Sequence, residues 1–226
     1  MTRLVLVPGF TQTASSWDAV VAALHPSIEV RAVGVPVRRS FEETAAAIGE
    51  DGGPAAYCGY SMGGRLCLRL ALDRPDLVTR LVLVSATPGI EDSGERAGRF
   101  VADEDHARFV EREGVEAFLA RWLAQPMFDG VPADAPGVAD RRALPVDYLT
   151  YCLRVLGTGT MQPMWPRLRD LSMPVTFVTG RRDEKFTDIG TRAALIHGEH
   201  VVVDGGHAVP LEQPDALATI LNERIR

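Results

Sequence analysis

The chain has 226 residues, 46% of them hydrophobic, enough for one domain with a sizeable core, and no apolar run reaches the roughly 18–20 residues that a membrane-spanning helix needs. A formal net charge of −6 disfavours nucleic acid as a partner, while a local cluster of arginines can still oppose that sign toward a small anionic substrate. Cys58, Cys67 and Cys152 have no metal-ligand spacing and cannot all pair, so reduced thiols and a cytoplasmic location are expected.

Along the chain, the apolar run at 4–7 stops at Pro8-Gly9 with no small-residue cleavage site, and so reads as a buried strand rather than a secretion signal. Further strands are expected at 29–33, 55–59, 80–84, 175–179 and 199–203. Helical patterns fall between most of them. Ser15-Ser16-Trp17-Asp18 opens one helix with capping chemistry, and Ser40-Phe41-Glu42-Glu43 opens another with an acidic first turn. The alternation breaks at 88–165, a stretch rich in Arg, Glu and aromatics at helical spacing with a Pro/Gly/Asp-rich part at 125–136. These features predict an α/β fold with a mostly parallel sheet, built from residues 1–87 and 166–226, and an inserted helical cap at 88–165.

Gly59-Tyr60-Ser61-Met62-Gly63-Gly64 places a G-x-S-x-G pattern between an apolar strand and the helical run 65–72. A strand turning sharply into a helix holds its serine in a strained, exposed position, and only glycines allow the backbones to approach so closely. The amide of Met62 at the start of that helix, with a second amide assigned to Phe10 after the first strand, would form an oxyanion hole. A serine hydroxyl needs a base to take its proton. His207 fits: it follows a strand through Asp204-Gly205-Gly206 and precedes Pro210-Leu211-Glu212-Gln213-Pro214, which puts it on a loop at the edge where Ser61 lies. His25, His106, His197 and His200 read as solvated surface residues. The orienting acid is expected between Ser61 and His207 in chain order. Asp183 lies just past a strand, with Glu184 and Asp188 as rivals read as solvated helix residues.

The elbow, the strand leading to Asp183 and the Gly-Gly-His207 loop together resemble the α/β-hydrolase superfamily over essentially the full chain. Four stretches narrow the match: 59–65 around Ser61, 118–128 with Trp122 and Gln125-Pro126-Met127-Phe128, 156–165 ending Pro163-Met164-Trp165, and 180–186 around Asp183. They are similar to the 2-succinyl-6-hydroxy-2,4-cyclohexadiene-1-carboxylate synthases of the menaquinone pathway. That resemblance implies a lyase that eliminates pyruvate from a substrate carrying several carboxylates, with the Ser–His pair initiating proton abstraction. One departure is the first loop, Pro8-Gly9-Phe10, where these enzymes commonly have His-Gly.

Arg65 stands one helical turn beyond Ser61 and can clamp a carboxylate with two parallel hydrogen bonds. Arg99 and Arg154, with Arg96 as a weaker candidate, would add positive charge from the cap, and Tyr60 and Trp122 would supply aromatic walls. Each has a bland alternative, since cap arginines often form i,i+4 ion pairs and Trp122 can be cap core. Three functions stay open: the pyruvate-eliminating lyase, a carboxylic ester or thioester hydrolase using the same triad, and a ligand-binding receptor that keeps the fold. No metal or organic cofactor is indicated by any ligand motif, and the sequence does not specify an oligomeric state.

Overall fold

The computed structural model describes residues 2–132, 135 and 137–225. Residues 133, 134 and 136, within the Pro/Gly/Asp-rich stretch singled out above, lie outside the described residues. Among the described residues six strands, β1 (Thr2–Val7), β2 (Ile28–Ala32), β3 (Ala55–Tyr60), β4 (Val78–Val84), β5 (Val175–Gly180) and β6 (Glu199–Val203), form one sheet in the order β2-β1-β3-β4-β5-β6. Every pairing is parallel. The architecture is therefore the expected α/β one, and the strand centres match the apolar runs within a residue or two.

Alternation along the strands feeds two cores. Leu4 and Leu6 face a layer containing Trp17, Val20, Leu217 and Leu221, whereas Val5 and Val7 face one containing Phe41, Ile48, Leu66 and Leu70. A parallel sheet must bury both faces, because its crossover helices lie on both. The helices are α1 (Asp18–Ala22), α2 (Phe41–Gly52), α3 (Met62–Asp73), α4 (Ser93–Leu123), α5 (Val146–Arg154), α6 (Glu184–Ala194), α7 (Val209–Glu212) and α8 (Pro214–Arg224). Ser40 caps α2 as its sequence implies, accepting from the Glu43 amide at 3.1 Å. The cap expected at 15–18 differs: residues 14–17 form a 3-10 turn ahead of α1, and neither start has a side-chain cap. There the hydroxyls serve each other, Thr13 with Ser15 at 2.7 Å, and Ser16 donates back to the Thr13 carbonyl at 2.8 Å.

Between β4 and β5, α4 and α5 pack through Ala107, Val110, Phe118, Leu119, Leu149 and Leu153. Gly114, at φ 82° and ψ 172°, breaks α4 into two segments, a conformation that a residue with a Cβ rarely adopts. Among the described residues no helix is long and apolar enough to cross a membrane.

Parallel strands place all their C-terminal ends on one edge. The chain passes from β1 outward to β2 and then returns to the far side of β1 as β3, so the direction of winding changes between β1 and β3. Such a switch opens a crevice at the C-terminal ends. Phe10 follows β1 and Ser61 follows β3, and the two therefore straddle it.

Candidate active site

Ser61 joins β3 to α3 at φ 50° and ψ −108°, a left-handed conformation costly for a side-chain-bearing residue. The surroundings hold it there: its amide donates to the Val84 carbonyl at 2.8 Å, and its carbonyl accepts from the Arg65 amide at 3.1 Å. Gly63 is obligatory for the same turn, because a Cβ on it would overlap the Val7 and Pro8 carbonyl oxygens.

His207 and Asp183 reach Ser61 from the ends of β6 and β5. His207 Nε2 lies 3.3 Å from Ser61 Oγ, and His207 Nδ1 lies 2.6 Å from Asp183 Oδ2. The histidine is 2% exposed. Phe186, Tyr60 and Phe128 surround its ring, at centroid distances of 4.5, 5.5 and 6.1 Å. Neither Glu184 nor Asp188, the rival acids, makes this contact; both lie on α6 beyond Asp183.

A cavity of about 460 Å³ opens above these three residues and is roofed by α4, α5 and the segment 125–128. Phe10 and Met62 both line it beside Ser61. Met62 is the first residue of α3, where amides have no intrahelical acceptor. The Phe10 loop is pinned by Gln12, whose Oε1 accepts from the Gly9 amide at 3.2 Å and whose amide donates to the Gly9 carbonyl, also at 3.2 Å. The Phe10 ring sits edge-on to Trp122 and Phe118, at 5.0 and 6.0 Å. Trp122 thus belongs at once to the cap core and to the cavity wall.

The basic residues divide. Arg65 lines the cavity, is buried, and donates from Nη1 to the Leu156 carbonyl at 2.6 Å; among the described residues it has no ion pair. Burial, followed by the like charge of Arg99, lowers its pKa to about 10. Arg99 also reaches the cavity, with Nε held by Asp103 Oδ1 at 2.8 Å. Arg154 does not. Its guanidinium is spent on Glu104 (2.8 and 3.0 Å) and Glu111 (2.5 and 3.0 Å), outside the cavity wall, which corrects the expectation that it binds substrate. Arg96 likewise turns away, onto the Ile90 and Glu91 carbonyls.

Sequence reasoning missed Arg141. It is 2% exposed and lines the cavity, its Nη1 donates to Thr11 Oγ1 at 3.3 Å, and its Nε is buried with no partner among the described residues. Burial lowers its pKa. His106 was also misplaced as a surface residue: it lines the cavity between Trp122 and Phe118, and burial, with Arg121 next, lowers its pKa. A neutral imidazole suits a wall already holding cations. Gln12, Thr87, Gln125, Thr158 and Lys185 add further polar groups to the lining. Among the described residues no group of three or more His, Cys, Asp or Glu side chains is arranged to hold a metal ion.

Known proteins resemble this chain in the same terms. A Bacillus subtilis protein provisionally named 2-succinyl-6-hydroxy-2,4-cyclohexadiene-1-carboxylate synthase is 35% identical over 174 residues, which is 73% of this chain but only 63% of that protein. An esterase of Mycobacterium tuberculosis is 29% identical over 97% of this chain and 81% of its own. The structure of MenH from S. aureus superimposes with a TM-score of 0.89 at 23% identity, covering 97% of this chain and 91% of that one, a likeness of fold. With the model of that family matching residues 4–220, from the first strand to the last helix, the chain belongs to the alpha/beta hydrolase family.

Proposed function

We propose that the protein is a Ser-His-Asp enzyme that eliminates pyruvate from a carboxylate-rich cyclohexene intermediate of menaquinone biosynthesis. The observation that carries this proposal is the pair of buried guanidinium groups, Arg65 and Arg141, that line the cavity beside Ser61 and form no ion pair among the described residues, the buried Asp103 of the same cavity being paired with Arg99 instead. Burying a cation without a counter-ion is expensive, and a substrate carboxylate relieves that expense on binding. A neutral ester needs no such groups. The Bacillus relative's name points to the same reaction.

In this mechanism Asp183 holds His207 in the tautomer whose Nε2 is free to accept a proton, and Ser61 and His207 act together as the base. The proton leaves a substrate carbon next to a carbonyl. The electron pair it leaves behind forms a ring double bond, and the C–O bond breaks to release pyruvate as its enolate, which then takes up a proton on carbon in place of the one His207 accepted. The amides of Phe10 and Met62 stabilise the negative charge that develops on the carbonyl oxygen. Arg65, Arg99 and Arg141 clamp carboxylates, with Tyr60 and Trp122 as apolar walls. The substrate is a small anion, and three buried, unpaired cysteines support a cytoplasmic setting.

The test is to supply the succinyl-enolpyruvyl cyclohexene tricarboxylate and couple pyruvate release to lactate dehydrogenase. Release that depends on Ser61 is the expected result. Absence of pyruvate together with cleavage of short-chain aryl esters would instead establish ester hydrolysis, a second reading favoured by the mycobacterial esterase, which aligns with 97% of the chain.

A further inference from the structure

Glu212 is a carboxylate outside the cavity, with a side chain only 1% exposed. Its Oε2 accepts from the Gly206 amide at 2.7 Å and its Oε1 from the Ala208 amide at 3.0 Å. These are the two amides flanking His207. Oε2 also accepts from Arg182 Nη2 at 2.8 Å, and Arg182 immediately precedes Asp183. One buried carboxylate therefore grips the histidine loop on both sides and the acid loop at its neighbour. Main-chain bonds run the same way: the Arg182 amide donates to the Gly205 carbonyl at 2.9 Å and the Arg181 amide to the Val203 carbonyl at 2.8 Å.

We infer that Glu212 is a positioning residue that sets the His207–Asp183 pair against Ser61, an inference that rests on the triad part of the proposed function and not on the choice of lyase. The physical need is plain in the loop itself. Gly205-Gly206 has the least restricted backbone that a chain can offer, so an imidazole that must be held within about half an ångström needs its loop fixed by contacts from outside it. Charge-assisted bonds from a carboxylate to two amides are short and directional enough to do so. Arg182 is 55% exposed, so its ion pair adds orientation more than energy. The cap also touches this device. A Cβ on Gly130 would overlap Glu212 Oε2, so Gly130→Ala pushes the carboxylate aside without changing any charge.

The experiment compares wild type with Glu212→Gln, Glu212→Ala and Gly130→Ala by labelling Ser61 with a fluorophosphonate, which requires the Ser–His pair but no particular substrate. The maximal labelling rate and the half-saturating concentration are separated, and the downfield proton resonance of His207 Nδ1 is followed by NMR. A misplacement of about 1 Å is worth up to about 10²-fold in rate. The expected result is a maximal rate lowered roughly 10- to 100-fold in the variants, a half-saturating concentration within about twofold of wild type, and a broadened or lost His207 resonance. Should Glu212→Ala fail to fold, Gly130→Ala and Glu212→Gln carry the test. Folded variants that keep both the wild-type rate and the resonance overturn the inference alone. A wild-type protein that neither labels at Ser61 nor shows the resonance removes the triad assignment, and the inference with it.

Discussion

Arg65 Nη1 donates to the Leu156 carbonyl at 2.6 Å, so a cation rooted one turn behind Ser61 is fastened to the helical insertion rather than to any carboxylate. The sheet contributes Ser61 and the insertion holds the charge beside it. With no ion pair among the described residues and the buried Asp103 bonded to Arg99, Arg65 keeps donors for something that enters the cavity. Stability and binding are therefore set against each other at one side chain.

Arg65→Met should make that opposition visible. With a pKa held at about 10 by burial, the charged guanidinium costs on the order of 3 kcal/mol relative to its unfolded state. The sign follows from linkage. A cation whose folded pKa is depressed carries its full penalty below that pKa, and stability rises as pH climbs from about 10 toward the unfolded value, because there the unfolded chain holds the extra proton. Methionine removes the penalty, less the loss of the Leu156 hydrogen bond. The variant should melt several degrees higher at pH 7, at roughly 2–4 °C per kcal/mol for a chain of this size, and the gain should shrink above about pH 10. A lower Tm at pH 7 would show that the hydrogen bond outweighs the buried charge.

Arg141→Met is expected to act chiefly on substrate. Losing a desolvated partner of a carboxylate costs roughly 2–5 kcal/mol, so kcat/KM for the tricarboxylate should fall by about 30- to several-thousand-fold. Fluorophosphonate labelling of Ser61 should stay within about threefold of wild type, since Arg141 is absent from the Ser–His contact. Equal losses in both assays would mean that Arg141 supports the Thr11 loop rather than the ligand.

Arg154→Ala serves as the contrast. Its partners Glu104 and Glu111 are both partly exposed, as Arg154 is itself, and solvent screens such pairs so that they contribute little. A drop in Tm of a few degrees at most, with kcat/KM unchanged within about twofold, is expected from calorimetry and the coupled pyruvate assay. A large loss of turnover would return Arg154 to the binding site.

The difference between these arginines explains what the sequence could disclose. Strands were legible because β1, β3, β4 and β5 each contain a run of buried apolar residues that serves both faces of the sheet, as Leu4 and Leu6 on one side and Val5 and Val7 on the other do in β1. Ser61, Asp183 and His207 were legible because each follows a strand, and a parallel sheet carries all such positions to one edge. Arginine roles depend instead on contacts between distant helices. Arg154 meets Glu104 and Glu111 across the α4–α5 interface, 50 and 43 residues away. Arg141 lies on a 3-10 turn with no helical period, beside Arg142, which is exposed and near Glu116. Nothing in that dipeptide distinguishes the buried arginine from the solvated one. Glu212 reads in the sequence only as part of a helix start, since its bonds to the amides around His207 exist only once the loop closes over it.

Asp183→Asn probes the point on which the chemistry turns. A carboxylate oxygen accepts, so the 2.6 Å contact from His207 Nδ1 to Asp183 Oδ2 favours the tautomer in which Nδ1 donates and Nε2 faces Ser61 Oγ, at 3.3 Å, as an acceptor. An asparagine fits the same space but can present its NH₂ to Nδ1, which places the ring proton on Nε2 and leaves no base for the serine. In a serine protease the same exchange lowers kcat by roughly 10⁴-fold, and a loss of that order is expected here, in pyruvate release and in Ser61 labelling alike. Folding should change little, because shape and volume are kept, so Tm measured in parallel separates lost chemistry from lost structure. Wild-type turnover in Asp183→Asn would hand the acid's role to another carboxylate, and Asp188→Asn would then be the informative variant.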